Sequence, residues 1–381
     1  MQHWKILRRV IYFLLGVTDC SWLRPAISPS VWLFWKAPAM TVLKPLIISV
    51  PEPRSLELIL GKDSETKLRR DFRIVEGEGP TIAKVVEDNI AEASFIIGQP
   101  ELPSRILQQA KKLKAIFNVE SNFLDNMDYD YCFAHGIHVL TTGRVFATPV
   151  AEIGLGLALS LERNIVGADR AFRAGKELWG GEGNTQARLM SGGNIGLIGF
   201  GDLGRALHRV LAGFRANIRV FDPWLPKGIL KDAGVEPVSL DDVLTKSDVI
   251  FVVASVTAAN GGFLGKQEFA KMRKGTSFIL LSRAGVVDFD ALMDAARSGH
   301  IRAASDVYPE EPLRADHPVR KLEGFVLSAH RAGALDSAFK QMGEMVLDDL
   351  DLLVRGLPPV SCRRAERETV RMMRSKPVSR N

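Results

Sequence analysis

The chain has 381 residues, 46% of them apolar and 25% charged, which favours two domains and excludes a disordered or fibrous protein. Its three cysteines, Cys20, Cys132 and Cys362, are too few and too widely spaced for a disulfide framework or a zinc cluster, and fit a reducing cytoplasm. The net charge of +6 is terminal: residues 1–40 carry +4 and residues 362–381 carry +5, so the body is at −3 and offers no face for nucleic acid.

Residues 1–40 hold four of the six tryptophans and an apolar run, Val10 to Val17, behind Arg8-Arg9. The run falls short of the roughly 20 residues that span a bilayer, and Thr18-Asp19-Cys20 is a poor cleavage site. These residues are read as an extension outside the fold, and no transmembrane segment is expected. From about residue 44 strands and helices alternate. Leu46 to Val50, Phe72 to Val75, Phe95 to Gly98, Ala115 to Val119 and Ile137 to Leu140 are short buried strands of a first α/β unit. One long helix is expected from about Pro149 to Ala174, followed by a glycine-punctuated loop at Gly180-Gly181-Glu182-Gly183 and Ser191-Gly192-Gly193.

A second α/β unit opens at Asn194. Its strand-like runs are 194–200, 217–222, 248–254, 276–282, 302–306 and 324–328, with amphipathic helices such as 288–297 between them. Six strands with crossovers match a doubly wound parallel sheet. A further amphipathic helix, 334–355, then follows. The expected fold is α/β, with a Rossmann dinucleotide-binding domain (149–334) inserted into a smaller flavodoxin-like substrate domain (41–148 and 335–361). Residues 362–381 are expected to form a basic tail. Two crossings between domains make a natural hinge.

Gly199-Phe200-Gly201-Asp202-Leu203-Gly204 comes straight after an apolar strand and opens a helix. The glycines permit a tight turn, backbone approach to a pyrophosphate, and close helix–strand packing; the phosphates then lie on a helix amino terminus. The next strand ends in Asp222, which accepts hydrogen bonds from ribose hydroxyls and repels a 2′-phosphate. The expected cofactor is therefore NAD. Three candidate reacting groups follow successive strands. Arg283 is a fixed guanidinium able to bind a carboxylate and polarise the adjacent carbonyl. His330 is an acid/base, and Glu311 is the candidate carboxylate that sets its tautomer. The other histidines in the fold, His135, His138, His208, His300 and His317, lack this combination.

These motifs, with Ser282-Arg283-Ala284-Gly285-Val286-Val287-Asp288, Ala304 to Pro312, His330-Arg331-Ala332-Gly333 and the closing Gly356-Leu357-Pro358-Pro359-Val360, resemble the D-isomer-specific 2-hydroxyacid dehydrogenase family over roughly residues 44–361. The resemblance implies NAD-dependent interconversion of a small 2-keto acid and a D-2-hydroxy acid. In it Arg283 binds substrate, His330 is the acid/base and Glu311 its partner. It also implies cofactor contacts from Gly199, Gly201, Asp202, Leu203, Gly204, Asp222, Thr257, Ser282, Arg283, Asp306, His330 and Gly333, no metal, and a homodimer formed through the nucleotide domain. Ser121 and Asn122 lie in the substrate loop. There Ser121 and Phe123 stand where the family has glycines, so the loop's Cβ and phenyl ring are expected to change the pocket, and Glu120 opposes an anion if it faces inward. The alternative reading is an NAD(H)-sensing corepressor with little turnover.

Overall fold

Continuous apolar runs that are buried on both faces form parallel strands, and this chain has two sets of them. The computed structural model describes residues 44–373 except 121 and 258; the expected extension at 1–40 lies outside the described residues. The first set comprises β1 (Leu46–Val50), β2 (Arg73–Glu76), β3 (Ala93–Gly98), β4 (Ala115–Asn118) and β5 (His138–Thr141). The second comprises β6 (Asn194–Ile198), β7 (Asn217–Phe221), β8 (Glu236–Pro237), β9 (Val249–Val252), β10 (Thr276–Leu280), β11 (Ile301–Ser305) and β12 (Phe325–Leu327). A last strand, β13 (Arg363–Arg364), returns to the first sheet.

The first sheet has the order β13-β5-β4-β3-β1-β2 and the second β12-β11-β10-β9-β6-β7-β8. Apart from β13 every pairing is parallel. The first is the flavodoxin-like order and the second the doubly wound dinucleotide order, each with one point where the strand order reverses. At both points a glycine is required. Gly98 takes φ 132°, and a Cβ there would lie 2.0 Å from the Val50 carbonyl oxygen. Gly199 takes φ 99°, and a Cβ there would lie 2.8 Å from the Ala254 backbone. The loops leaving the carboxyl ends of these strands build the cleft described below.

The long helix expected from Pro149 to Ala174 is two helices, Ala147–Glu162 and Ile165–Arg173. Asn164 breaks it with a left-handed φ of 50°, a conformation that asparagine adopts more readily than most residues. The stretch Gly143–Glu162 is long and apolar enough to cross a membrane, yet it packs on the second sheet, with Ala151, Ala158 and Leu161 in that sheet's core. Its last residue, Glu162, is 1% exposed. The Glu162 carboxylate accepts hydrogen bonds from Ser277 of β10 (2.6 Å), Arg302 of β11 (2.7 Å) and Arg188 (2.8 Å).

The basic tail begins later than residue 362. Arg363 and Arg364 pair antiparallel with Thr141 and Leu140 of β5, and Ala365 and Val370 are buried in the first domain's core. Buried Asp349, on helix Asp336–Val354, holds the turn by accepting from the amides of Val360, Ser361 and Cys362 at 2.8–2.9 Å. Composition gave no sign of this, because the pairing depends on an open edge of β5.

Candidate active site

The residues that follow the carboxyl ends of β1, β4, β10, β11 and β12 converge on one cleft of about 940 Å³. Arg54, Glu120, Arg283, Glu311 and His330 all line it. A contiguous lobe of about 880 Å³ is lined by Gly199, Gly201, Asp202, Leu203, Asp222, Thr257, Ser282 and Asn122. Arg283 lines both lobes.

Glu311 is held at both oxygens. The Tyr308 amide donates to Oε1 (2.8 Å), and Oε2 lies 2.5 Å from His330 Nδ1. Burial pushes this carboxyl up. The hydrogen bonds from His330 and the Tyr308 amide, with the charges of His330 and Arg283, outweigh burial and hold it below the ordinary glutamate value. An ionised Glu311 requires the proton on Nδ1, so His330 presents Nε2 to the cleft. The loop carrying His330 is pinned by Asp306, which is 1% exposed. Its oxygens accept from Ser328 Oγ (2.5 Å) and from the amides of Arg331 and Ala332 (3.1 Å each). Asp306, read from sequence as a cofactor contact, thus spends its hydrogen-bonding capacity chiefly on that loop.

Arg283 follows β10 and is largely buried. Burial lowers its pKa, while Glu120 and then Glu311 raise it. Its Nη1 donates to the Ser282 carbonyl at 2.8 Å, which orients the guanidinium. Gly333 lies against the Phe146 ring, 2.9 Å from where a Cβ would stand.

The family model for D-isomer specific 2-hydroxyacid dehydrogenase, NAD binding domain, matches residues 155–332. A glyoxylate reductase of Thermofilum pendens is 32% identical over 266 residues, 68% of this chain and 77% of that protein. The chain belongs to the D-isomer specific 2-hydroxyacid dehydrogenase family. A D-3-phosphoglycerate dehydrogenase of Archaeoglobus fulgidus is 31% identical over 268 residues, 70% of this chain and 50% of that protein. This dehydrogenase-family chain therefore spans about half the length of that relative. A crystal structure described as a phosphoglycerate oxidoreductase from Rhizobium etli is 63% identical, with a TM-score of 0.78, covering 86% of this chain and all of that one.

The second lobe fits the NAD of this family. A Cβ at Gly201 would meet nothing within 4 Å, so the backbone there is open to a ligand at the amino end of helix Asp202–Leu211. Gly204 serves packing instead: a Cβ there would lie 2.6 Å from the Gly199 carbonyl oxygen. Asp222 ties the glycine loop to the turn after β7. Its Oδ2 accepts from the Phe200 amide (2.7 Å), and its Oδ1 from the Trp224 and Leu225 amides (2.9 and 3.2 Å). A carboxylate has about four acceptor sites, so one remains for a ribose hydroxyl. Among the described residues no group of three or more His, Cys, Asp or Glu side chains is placed to hold a metal.

One sequence expectation changes in this family member's substrate loop. Phe123 does not enter the cleft; it is buried in the first domain's core, edge-on to Tyr129 at 6.4 Å. Ser121 lies outside the described residues. Glu120 faces the cleft, and Arg54, which sequence reasoning passed over, stands beside it. A signal for Arg54 existed: Pro51-Glu52-Pro53-Arg54 directly follows β1, whose carboxyl end adjoins the reversal point of its sheet. Burial lowers the pKa of His138 and of His208, and neither lines the cleft.

Proposed function

We propose that the protein interconverts a 2-keto acid and a D-2-hydroxy acid with NAD(H). The observation that carries this reading is the placement of Arg283, which lines both the lobe of the glycine loop and the lobe of the His330–Glu311 pair. Residues 149–334 are assigned to the cofactor, and residues 44–148 with 335–373 to the substrate. Bound NAD(H) supplies or takes the hydride at the substrate's C2. Arg283 binds the substrate carboxylate and stabilises the oxygen on C2 as negative charge develops there. His330 gives its Nε2 proton to that oxygen in reduction and removes it in oxidation. Glu311 holds the ring through Nδ1 and stabilises the imidazolium. Asp222 favours NAD over its 2′-phosphorylated counterpart. The buried, unpaired thiols of Cys132 and Cys362 suit the reducing cytoplasm.

A panel of 2-keto acids, followed by the loss of NADH absorbance, tests the reading. Turnover is expected. A folded protein that binds NADH but reduces none of the panel would instead favour a sensor. Arg283→Lys is expected to lower kcat/KM about 10²–10³-fold on any acid that is reduced, because an ammonium lacks the planar fork. Unchanged kinetics would remove Arg283 from substrate binding.

We also propose a homodimer. Ile165, Phe172, Leu178, Trp179 and Leu189 lie between 52% and 73% exposed, on the second α/β unit between Glu162 and β6. So concentrated an apolar display marks an association surface. Light scattering coupled to size exclusion is expected to give twice the chain mass, and Phe172→Asp with Trp179→Asp to give a monomer. A monomeric parent would overturn this.

A further inference from the structure

The turn that carries the chain out of the first domain places an arginine in the cofactor lobe. After β5 the chain makes a helical turn, Gly143–Phe146, and enters helix Ala147–Glu162. The turn is anchored from below. Thr142 is buried and its amide donates to the Asn118 carbonyl (3.2 Å), and Val145 is buried in the first domain's core. Arg144, between them, is exposed and lines the lobe of the glycine loop. Its Nη1 donates to the Ser361 carbonyl at 3.4 Å. That contact is long, and a neutral carbonyl leaves the charge of the guanidinium in place.

The same turn packs against helix Asp202–Leu211 of the second domain. The amino end of that helix receives the phosphates, yet its charge there is offset. A helix amino terminus is worth about half a positive charge. Asp202, the first residue of the helix, is an exposed carboxylate that lines the lobe and cancels that half charge. Asp222 is a second carboxylate on the lobe. The open backbone at Gly201 offers hydrogen bonds to a phosphate but no net positive charge. The diphosphate of a dinucleotide is itself doubly negative, so its counter-charge has to come from side chains.

The cations on the lobe are Arg144, Arg283 and Arg363. Arg283 also lines the lobe of His330 and Glu311, which places it at the reacting end. Arg363 lies on β13, opposite Thr141 of β5, and adds to the positive charge of the wall that bears Arg144. Arg144 is the arginine whose own turn packs against the phosphate-binding helix. A cofactor seated on the second domain's glycine loop therefore meets a charge fixed to the first.

We propose that Arg144, a residue of the first domain, binds the diphosphate of NAD(H) across the cleft from the glycine loop. It rests on NAD as the cofactor and not on which acid is turned over.

Three ligands test it without turnover: NADH by fluorescence titration, and ADP-ribose and adenosine by competition against NADH. Arg144→Gln is expected to raise the Kd of NADH, and of ADP-ribose, which keeps the diphosphate, at least about threefold each. Adenosine, which lacks the diphosphate, should bind the variant and the parent alike, which a merely structural role for Arg144 would not allow. The Kd of NADH should also rise less steeply with salt in the variant than in the parent, because one screened charge contact is gone. Arg144→Lys keeps the charge and should lose less than Arg144→Gln. An NADH Kd raised less than about threefold by Arg144→Gln, or an adenosine Kd raised as much as that of NADH, overturns the proposal. A parent that binds no NADH would overturn the cofactor reading itself, a result distinct from a parent and variant that bind it equally well.

Discussion

His330→Ala is expected to lower turnover about 10²–10⁴-fold while leaving NADH binding almost unchanged. The loss follows from the removal of the only imidazole lining the cleft among the described residues. Nothing else there is placed both to hold a proton on Nδ1 against Glu311 and to offer a second nitrogen to substrate. Cofactor binding should survive, because the lobe of the glycine loop is built from Gly199, Gly201 and Asp222. The backbone should survive too. His330 takes a φ of 47°, a left-handed conformation that histidine adopts more readily than alanine, so the variant carries only a small added backbone cost. Glu311 would keep the Tyr308 amide but lose its stronger partner. NADH fluorescence titration and the loss of NADH absorbance, on an acid the parent reduces, measure the two quantities separately. Equal turnover by the variant would remove His330 from the chemistry.

Glu162→Ala carries the largest expected effect on stability, about 3–5 kcal/mol. The carboxylate is 1% exposed and collects Ser277, Arg302 and Arg188. Two of these donors are cations, and burial already lowers the pKa of Arg302. Without Glu162 the two guanidiniums repel each other in a site that water reaches poorly. The end of helix Ala147–Glu162 also loses its tie to β10 and β11. Arg188 is one-third exposed, which places the expectation toward the lower end of that range. In thermal unfolding the variant should melt about 5–15 °C below the parent, with KM for the keto acid little changed. A shift of under about 1 °C would mean that the cluster adds nothing net to stability.

Most of the strand pattern was legible along the chain because buried parallel strands are apolar throughout. β1 is the clearest case: all five of its positions are buried, and its residues have no other reason to be Leu-Ile-Ile-Ser-Val. The glycine loop was legible because steric demands of this kind have no other residue that meets them; Gly199 is hemmed in by the Ala254 backbone. The helix break at Asn164 was not, since nothing in composition separates an asparagine that takes a left-handed turn from one that merely faces water. β13 was missed for a different reason. A two-residue strand of arginines has no strand signature of its own, and forms because β5 has an unpaired edge and Asp349 turns the chain toward it.

The site divides along the same line. Arg283, Glu311 and His330 were identifiable because each follows a strand, and strand ends in such sheets face the ligand crevice. The direction in which a loop side chain points carries no such signature. Phe123 was expected to crowd the cleft and is buried behind the loop; Glu120, three residues earlier, faces into it.

Linear order alone was enough to read most strands of the two sheets, the cofactor turn and the residue types on which the proposed function draws, because burial and glycine geometry impose local, periodic constraints on sequence. Only the three-dimensional arrangement decided that Arg54 would neutralise Glu120 and that Glu162 would gather two arginines. Those pairings join residues 66, 26 and 140 positions apart. Their strength depends on distance and exclusion of water, neither of which is written in the spacing of residues along a chain.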